Sequence, residues 1–167
     1  MAVYTKLTEE EIKSFFSKYD LGNLLNYKGI KEGIENTNYF IQTEKGKFIL
    51  TLYEKRVNEK DLPFFIGLMK NLFDNKFPCP EPIININGNY ISEVASKKAA
   101  VISFLDGKAK KNLNPTDCYE VGISTAKLHL ITKNFDPIPY CEIFLVHLYL
   151  GSALCRYRRH LRHKVYR

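Results

Sequence analysis

Apolar residues recur at helical spacing in several parts of the chain. In residues 8–19, Thr8 followed three positions later by Glu11 is typical of a helix start, and one face is apolar: Ile12, Phe15, Phe16 and Tyr19. Residues 61–73 repeat this spacing, and Pro63 lies in the first turn, where its missing N–H costs nothing. The pattern therefore predicts two amphipathic helices in the first half of the chain.

Between these helices, short apolar runs bounded by turn residues predict strands. Residues 39–43 and 47–53 have strand composition, and Lys45-Gly46 between them supplies a turn, so we expect an antiparallel hairpin. Side-chain alternation places Lys47 and Thr51 on one face of the second strand and its apolar residues on the other: Phe48, Leu50 and Leu52.

The second half of the chain continues this alternation. Residues 83–86 and 90–91, joined by Asn-Gly-Asn, predict a second hairpin, and residues 99–105 predict a buried strand. A third helix is predicted after Asn114, with these residues facing inward: Tyr119, Val121, Ile123, Leu128 and Ile131. Successive antiparallel strands with interspersed helices indicate an α+β fold.

The charge distribution argues against a nucleic-acid partner. The formal net charge is +7, but no acidic residue follows Glu142, while six basic residues do: Arg156, Arg158, Arg159, Arg162, Lys164 and Arg167. Residues 1–142 are therefore nearly neutral. Their basic residues are almost all Lys, whereas the tail is rich in Arg, which indicates either a basic surface helix or an aberrant end such as a shifted reading frame.

Composition indicates a soluble globular protein, with 45% apolar and 26% charged residues. The cysteines lie too far apart for a zinc motif and are expected to be reduced: Cys79, Cys118, Cys141 and Cys155. The charged N-terminus lacks a signal-peptide pattern, so we expect a cytoplasmic location. Residues 143–155 are mostly apolar but too few for a bilayer span, and we predict no membrane partner. The alternative is a basic tail that binds an anionic membrane or nucleic acid.

A glycine-bearing turn is the first candidate for chemistry. Gly29 and Gly33 allow close approach of backbone to a phosphate, and the short polar side chains that follow could bind its oxygens: Asn36, Thr37 and Asn38. A purely structural hairpin turn is the alternative. The strand Val101–Leu105 could likewise be a hinge that pairs with a flat base, or simply the edge of the sheet running into a turn.

The order of these features carries a family resemblance. The motifs "GIENTNYF", "LTLYE" and "LPFF", the last followed by "PCPEP", lie in a stretch from about Val3 to Pro137 that strongly resembles bacterial homoserine kinases with the aminoglycoside phosphotransferase and choline kinase type of fold. The resemblance implies a protein-kinase-like N-lobe with an antiparallel five-stranded sheet and flanking helices in residues 1–107. Residues 108–139 would then be a linker and the first C-lobe helix, and residues 140–167 a divergent basic tail.

The resemblance also implies a ligand set. ATP, with Mg²⁺, would lie beneath the N-lobe sheet, and homoserine would bind mainly to the C-lobe and be converted to O-phospho-L-homoserine in threonine biosynthesis. Carried over by position, the nucleotide-binding residues are Gly29, Gly33, Asn36, Thr37, Asn38, Thr51, Ser103, Phe104 and Leu105, with Ile49 or Ile102 beside the base. Thr51 stands where related phosphotransferases hold a phosphate-pairing lysine.

The catalytic groups of such kinases are not found in the sequence. Kinase-like folds supply an H-x-D-x-x-x-x-N loop and a later metal-binding Asp. The residues two places after each His are not acidic: Ile131, Tyr149, Arg162 and Val165. We therefore predict no catalytic and no metal-binding residue, hence a truncated kinase that is inactive alone and has uncovered lobe surface prone to association. A choline or aminoglycoside kinase and a non-catalytic nucleotide-binding fragment are the alternatives.

Overall fold

The computed structural model describes residues 3–32, 35–54, 57–107, 110, 112–133 and 135. Within them the helices are α1 (Glu9–Phe16), a 3₁₀ turn (Glu59–Asp61), α2 (Leu62–Asp74) and α3 (Pro115–Thr132). The strands are β1 (Leu24–Gly29), β2 (Thr37–Thr43), β3 (Gly46–Leu52), β4 (Pro82–Ile83), β5 (Ile91–Val94) and β6 (Lys97–Ser103).

The helix starts confirm the sequence signals. Thr8 Oγ1 accepts a hydrogen bond from the Glu11 N–H (3.2 Å), and a Glu11 carboxylate oxygen accepts one from the Thr8 N–H (2.8 Å). Asn114 and Asp117 form the same reciprocal cap at the start of α3, and α2 has Pro63 in its first turn. These caps satisfy backbone N–H groups that a helix leaves without partners.

All strand pairs in the described sheet are antiparallel, in the order β1-β2-β3-β6-β4, and β5 also pairs with β6. The predicted β2–β3 hairpin is confirmed, with Thr43 opposite Gly46 at the turn. The count is six strands and not five, because β1 adds an edge strand that the sequence analysis did not predict.

The predicted second hairpin is wrong. Residues 83–86 and 90–91 do not pair with each other; β4 and β5 each pair with β6 instead. The Asn85 side chain organises the connecting loop, because its Oδ1 accepts hydrogen bonds from the N–H groups of Asn87 and Asn89 (2.9 Å each). The true hairpin joins β5 to β6 through Ala95 and Ser96, which both have positive φ, as a two-residue turn requires.

The main core lies on one face of the sheet, against α1. It contains the three apolar residues of β3 that the sequence analysis placed on one face, together with alternate residues of β2 and β6 and the apolar face of α1: Ile12, Phe15, Phe16, Tyr39, Ile41, Phe48, Leu50, Leu52, Ala99 and Val101. We call this side the core face of the sheet and the opposite side the second face.

Helix α3 differs from its prediction. Tyr119 and Val121, which were expected to face inward, are 67% and 65% exposed, and no residue of the helix is buried. Among the described elements it packs against α2. No helix among the described residues has the length and apolar character needed to cross a bilayer.

Candidate functional site

A row of half-buried apolar side chains crosses the second face of the sheet. Cross-strand register places Phe40 beside Ile49, Ile49 beside Ile102, and Ile102 beside Pro82. Because neighbouring strands are roughly 4.8 Å apart, the side chains of Phe40, Ile49 and Ile102 together span about 10 Å. This width suits a flat aromatic ring system laid against the sheet.

A polar pair lies two residues further along the same strands. Asn38 stands opposite Thr51, and the Thr51 hydroxyl donates a hydrogen bond to Asn38 Oδ1 (2.8 Å). No described residue accepts from the amide N–H₂ of Asn38, so this group can donate to a ligand oxygen. Two residues along a strand cover roughly 6.7 Å, so the Asn38 amide lies about that far from the apolar row.

The end of β6 adds an aromatic pair and an ion pair. The ring of Phe104 meets Phe40 edge to face, with 5.3 Å between centroids. Lys47 Nζ lies 6.0 Å from the Phe104 centroid and 3.7 Å from an oxygen of Asp106. Both charged side chains are at least half exposed, so this pair contributes little to stability.

The predicted hinge residues play different parts. The Ser103 N–H donates to Glu81 O and Ser103 Oγ accepts from the Glu81 N–H, both at 2.8 Å, so these groups bind the neighbouring chain segment. The Phe104 N–H donates to Lys47 O (3.1 Å). The backbone of Leu105 makes no hydrogen bond with any described residue, and its side chain is 52% exposed. Leu105 is thus the predicted hinge residue whose backbone can meet a ligand.

Two predicted phosphate-binding residues pack against other parts of the fold. A Cβ on Gly29 would lie 3.1 Å from Val3 Cγ2 and 3.6 Å from the Tyr39 ring, so the glycine makes room for Val3. The Thr37 side chain is fully buried on the core face and does not join Asn38 on the second face. Gly33 lies outside the described residues.

A second polar cluster lies at this end of the core face. Glu54 accepts hydrogen bonds from the hydroxyls of Thr5 (2.7 Å) and Thr37 (2.9 Å), and its other oxygen pairs with Lys97 Nζ (2.9 Å). The Glu54 N–H donates to Asn36 Oδ1 (3.4 Å). Sequence analysis missed this cluster, because its members lie far apart along the chain and only folding brings them together.

The described residues form no cage of side chains for a metal ion. Nowhere in the described ranges do three or more His, Cys, Asp or Glu side chains lie close enough to share a metal. Asp106 is paired with Lys47, and the oxygens of Glu54 are engaged on the core face. No step of a reaction can therefore be assigned to a metal held by these residues.

The sequence matches the phosphotransferase enzyme family over residues 26–162, and the chain belongs to that family. The match extends past Pro137, where the resemblance to homoserine kinases was expected to end.

Two curated relatives are homoserine kinases. That of Bartonella henselae is 48% identical over 136 residues, which cover 81% of this chain and 43% of the relative. The homoserine kinase of Parvibaculum lavamentivorans is 46% identical over 135 residues, which cover 81% of this chain and 42% of the relative. The chain spans about two fifths of the length of these relatives.

A solved structure shares the fold. Spectinomycin phosphotransferase, in complex with ADP and spectinomycin, matches 76% of this chain and 39% of its own with a TM-score of 0.61 and 12% identity. This likeness confirms the expected fold class: a kinase-like N-lobe with an antiparallel sheet and flanking helices.

Proposed function

We propose that this chain binds ATP across the second face of its sheet, as the nucleotide-binding part of a kinase that phosphorylates homoserine. The observation that carries the proposal is the apolar row beside the Asn38–Thr51 pair, in a family member nearly half identical to homoserine kinases. Under this proposal, residues 1–107 form the nucleotide-binding lobe, residues 108–139 the connection and first helix of the next lobe, and residues 140–167 a basic tail.

The adenine would lie on the apolar row. Phe40, Ile49 and Ile102 offer it an apolar surface, and the backbone of Leu105 offers a donor and an acceptor to its edge. The phosphates would then extend along the strands toward Asn38 and Thr51. The position of Asn36 beside that end makes its backbone a further candidate, whereas the buried Thr37 side chain is left out of the site.

Phosphoryl transfer needs more than this surface. A bond forms between the homoserine hydroxyl oxygen and the γ-phosphorus, the bond from that phosphorus to the β–γ bridging oxygen breaks, and a base takes the hydroxyl proton. No residue is assigned to this base or to Mg²⁺ from the sequence, and the described residues hold no cluster of three or more His, Cys, Asp or Glu side chains. We therefore propose that this chain binds nucleotide and that transfer requires groups outside the described residues.

Thermal-shift and turnover assays test the two parts separately. ATP is expected to raise the melting temperature of the chain, and homoserine without ATP is expected to leave it unchanged. Incubation with ATP, Mg²⁺ and homoserine is expected to give no phosphohomoserine above background. Turnover at rates typical of enzymes would overturn the inactivity proposal, and absence of any ATP-induced shift would overturn nucleotide binding.

Acceptor identity needs a longer protein that includes the absent part of the relatives' length. Homoserine, choline and an aminoglycoside should be offered in parallel with labelled ATP. Label on homoserine alone is expected. Phosphorylation of one of the other alcohols, with homoserine unlabelled, would overturn the substrate assignment. The cytoplasmic location expected from the sequence stays a prediction.

A further inference from the structure

The N-terminal segment, residues 3–7, runs against the inward-facing side chains of β2. Thr37 Oγ1 accepts hydrogen bonds from the N–H groups of Tyr4 (3.0 Å) and Thr5 (3.2 Å). The Tyr39 hydroxyl donates to Thr5 O and accepts from the Leu7 N–H, both at 2.9 Å. Four hydrogen bonds therefore hold an irregular segment in one position on a strand that flanks the glycine turn.

Glu54 completes this arrangement from the end of β3. It receives hydroxyl hydrogen bonds from Thr5 (2.7 Å) and Thr37 (2.9 Å) through one oxygen, and Lys97 Nζ (2.9 Å) through the other. Its side chain is only 12% exposed. Thr37 thereby uses its one donor and both acceptor positions, so its side chain has a single arrangement that satisfies every polar group. We call Thr5, Thr37, Glu54 and Lys97 the N-terminal clamp.

The N-terminal segment reaches both strand ends that flank the glycine turn. On the β2 side, it fixes Thr37, and the next residue is Asn38, whose side chain lies on the second face. On the β1 side, Val3 fills the space left by the missing Cβ of Gly29. The Ile30 N–H donates to Asn38 O (2.8 Å) and joins the two ends.

We propose that Thr5 and Glu54 are positioning residues, through which the N-terminal segment holds Asn38 and the flanking strand ends in place for the phosphates of the nucleotide. This inference rests on the proposed function. Neither residue touches the ligand. Each acts by fixing Thr37, so that the entropy of ordering the site is lost on folding and not on binding.

Two conservative variants test the clamp in the full chain. Thr5→Val keeps the shape of the side chain and removes its donor, and Glu54→Gln keeps the size and removes the charge. Glu93→Gln is the matched control, because Glu93 also pairs with a neighbouring lysine of the sheet, Lys98 (3.0 Å), but lies on β5, which is separated from β2 by β6 and β3. Affinities for ATP and for adenosine are measured by calorimetry for each protein.

The expected result is a loss of the phosphate-dependent part of binding. We expect Thr5→Val and Glu54→Gln to reduce the ATP-over-adenosine affinity ratio about fivefold, the factor that one lost hydrogen bond corresponds to, with adenosine affinity unchanged. Glu93→Gln should keep the wild-type ratio. If both clamp variants keep the wild-type ATP-over-adenosine affinity ratio, the positioning inference is wrong and the proposed function is unaffected. A wild-type chain that binds ATP no better than adenosine would overturn the proposed function and the clamp's role with it.

Amide hydrogen exchange provides a readout that needs no nucleotide. The Ile30 amide should exchange faster in both clamp variants than in the control, because its bond to Asn38 O closes the two strand ends. The Ser103 amide, bonded to Glu81 O in another part of the sheet, should be unchanged. Equal acceleration at Ile30 and Ser103 would indicate general destabilisation and would overturn a positioning role.

Discussion

Thr51 is the residue in which this site departs most from the resemblance that led to it. A lysine expected at this strand position would bring a positive charge to the phosphates, whereas Thr51 brings a hydroxyl that already donates to Asn38 (2.8 Å). The nearest lysine along the strand, Lys47, lies at the far end with Asp106 and Phe104. Under the proposed function, the groups that the described residues offer to phosphate oxygens at this point of the sheet are therefore neutral.

Restoring the charge at this position should strengthen ATP binding. Thr51→Lys is expected to raise the affinity for ATP about tenfold, and to leave adenosine affinity unchanged, because a cation beside phosphate oxygens adds a charge-assisted contact. Thr125→Lys, which adds the same charge on exposed α3, is the control for net charge. The affinities of both variants are measured by calorimetric titration. An equal gain in ATP affinity in the two variants would contradict a local contact between the introduced lysine and the phosphates.

Glu54 is the described carboxylate most strongly tied to the fold. Partial burial by itself raises the pKa of its carboxyl group. Hydrogen bonds from Thr5, Lys97 and Thr37, together with the Lys97 charge, outweigh that cost and leave the pKa below its ordinary value. A carboxyl group whose pKa is lowered by folding stabilises the native state above its unfolded pKa of about 4.3, and this contribution is lost as the pH falls through the folded pKa.

The Glu54→Gln variant should therefore respond differently to acid. We expect a lower melting temperature than wild type at pH 7. Between roughly pH 5 and pH 3 its melting temperature should fall less steeply, because residue 54 of the variant has no carboxylate to become protonated. Glu93→Gln, which removes a more exposed carboxylate, is the control for the loss of one negative charge. Parallel melting curves for Glu54→Gln and wild type across this range would contradict the linkage.

Among the elements, those with a strong local signal could be predicted and those decided by distant partners could not. The capping residues of α1 and α3 lie within four positions, so the sequence contains the whole signal. Strand β1 is an edge strand with mostly exposed or half-buried residues, and it has no clear alternation. The second hairpin was wrongly predicted because the chain does turn at Asn-Gly-Asn, but the segments on either side of that turn each pair with β6 and not with each other.

Helix α3 has no buried residue. Tyr119 and Leu130 are 67% and 72% exposed, and their spacing places them on one side of the helix. Exposed apolar groups of this kind favour association. We expect the chain to self-associate in sedimentation velocity, and the double variant Tyr119→Lys with Leu130→Lys to shift it toward monomer.

A charge-matched control separates surface apolarity from net charge. Thr125→Lys with Ala126→Lys adds the same two charges at exposed positions of α3 and should leave self-association unchanged. A wild-type chain that sediments as a monomer and melts in one sharp transition would contradict this prediction.

For the molecule as a whole, strand alternation and the family motifs located the sheet and several residues of its second face. They could not separate residues that lie on opposite faces at the same strand end, such as Thr37 and Asn38. The role of Gly29 and the hydrogen bonds of Glu54 were also hidden, because their partners at Val3 and Thr5 lie 26 and 49 residues away in sequence. Tertiary contacts of this range leave no local pattern.

The central claim is that a nucleotide lies on the second face, and methyl NMR during an ATP titration tests it most directly. Ile49 and Ile102 point to that face, while the core face has Leu50, Leu52 and Val101 on the same two strands. The ring current of a bound adenine should shift the methyl signals of the two isoleucines and leave the three core-face residues unchanged. Shifts confined to the core-face methyls, or no shifts at saturating ATP, would contradict the account.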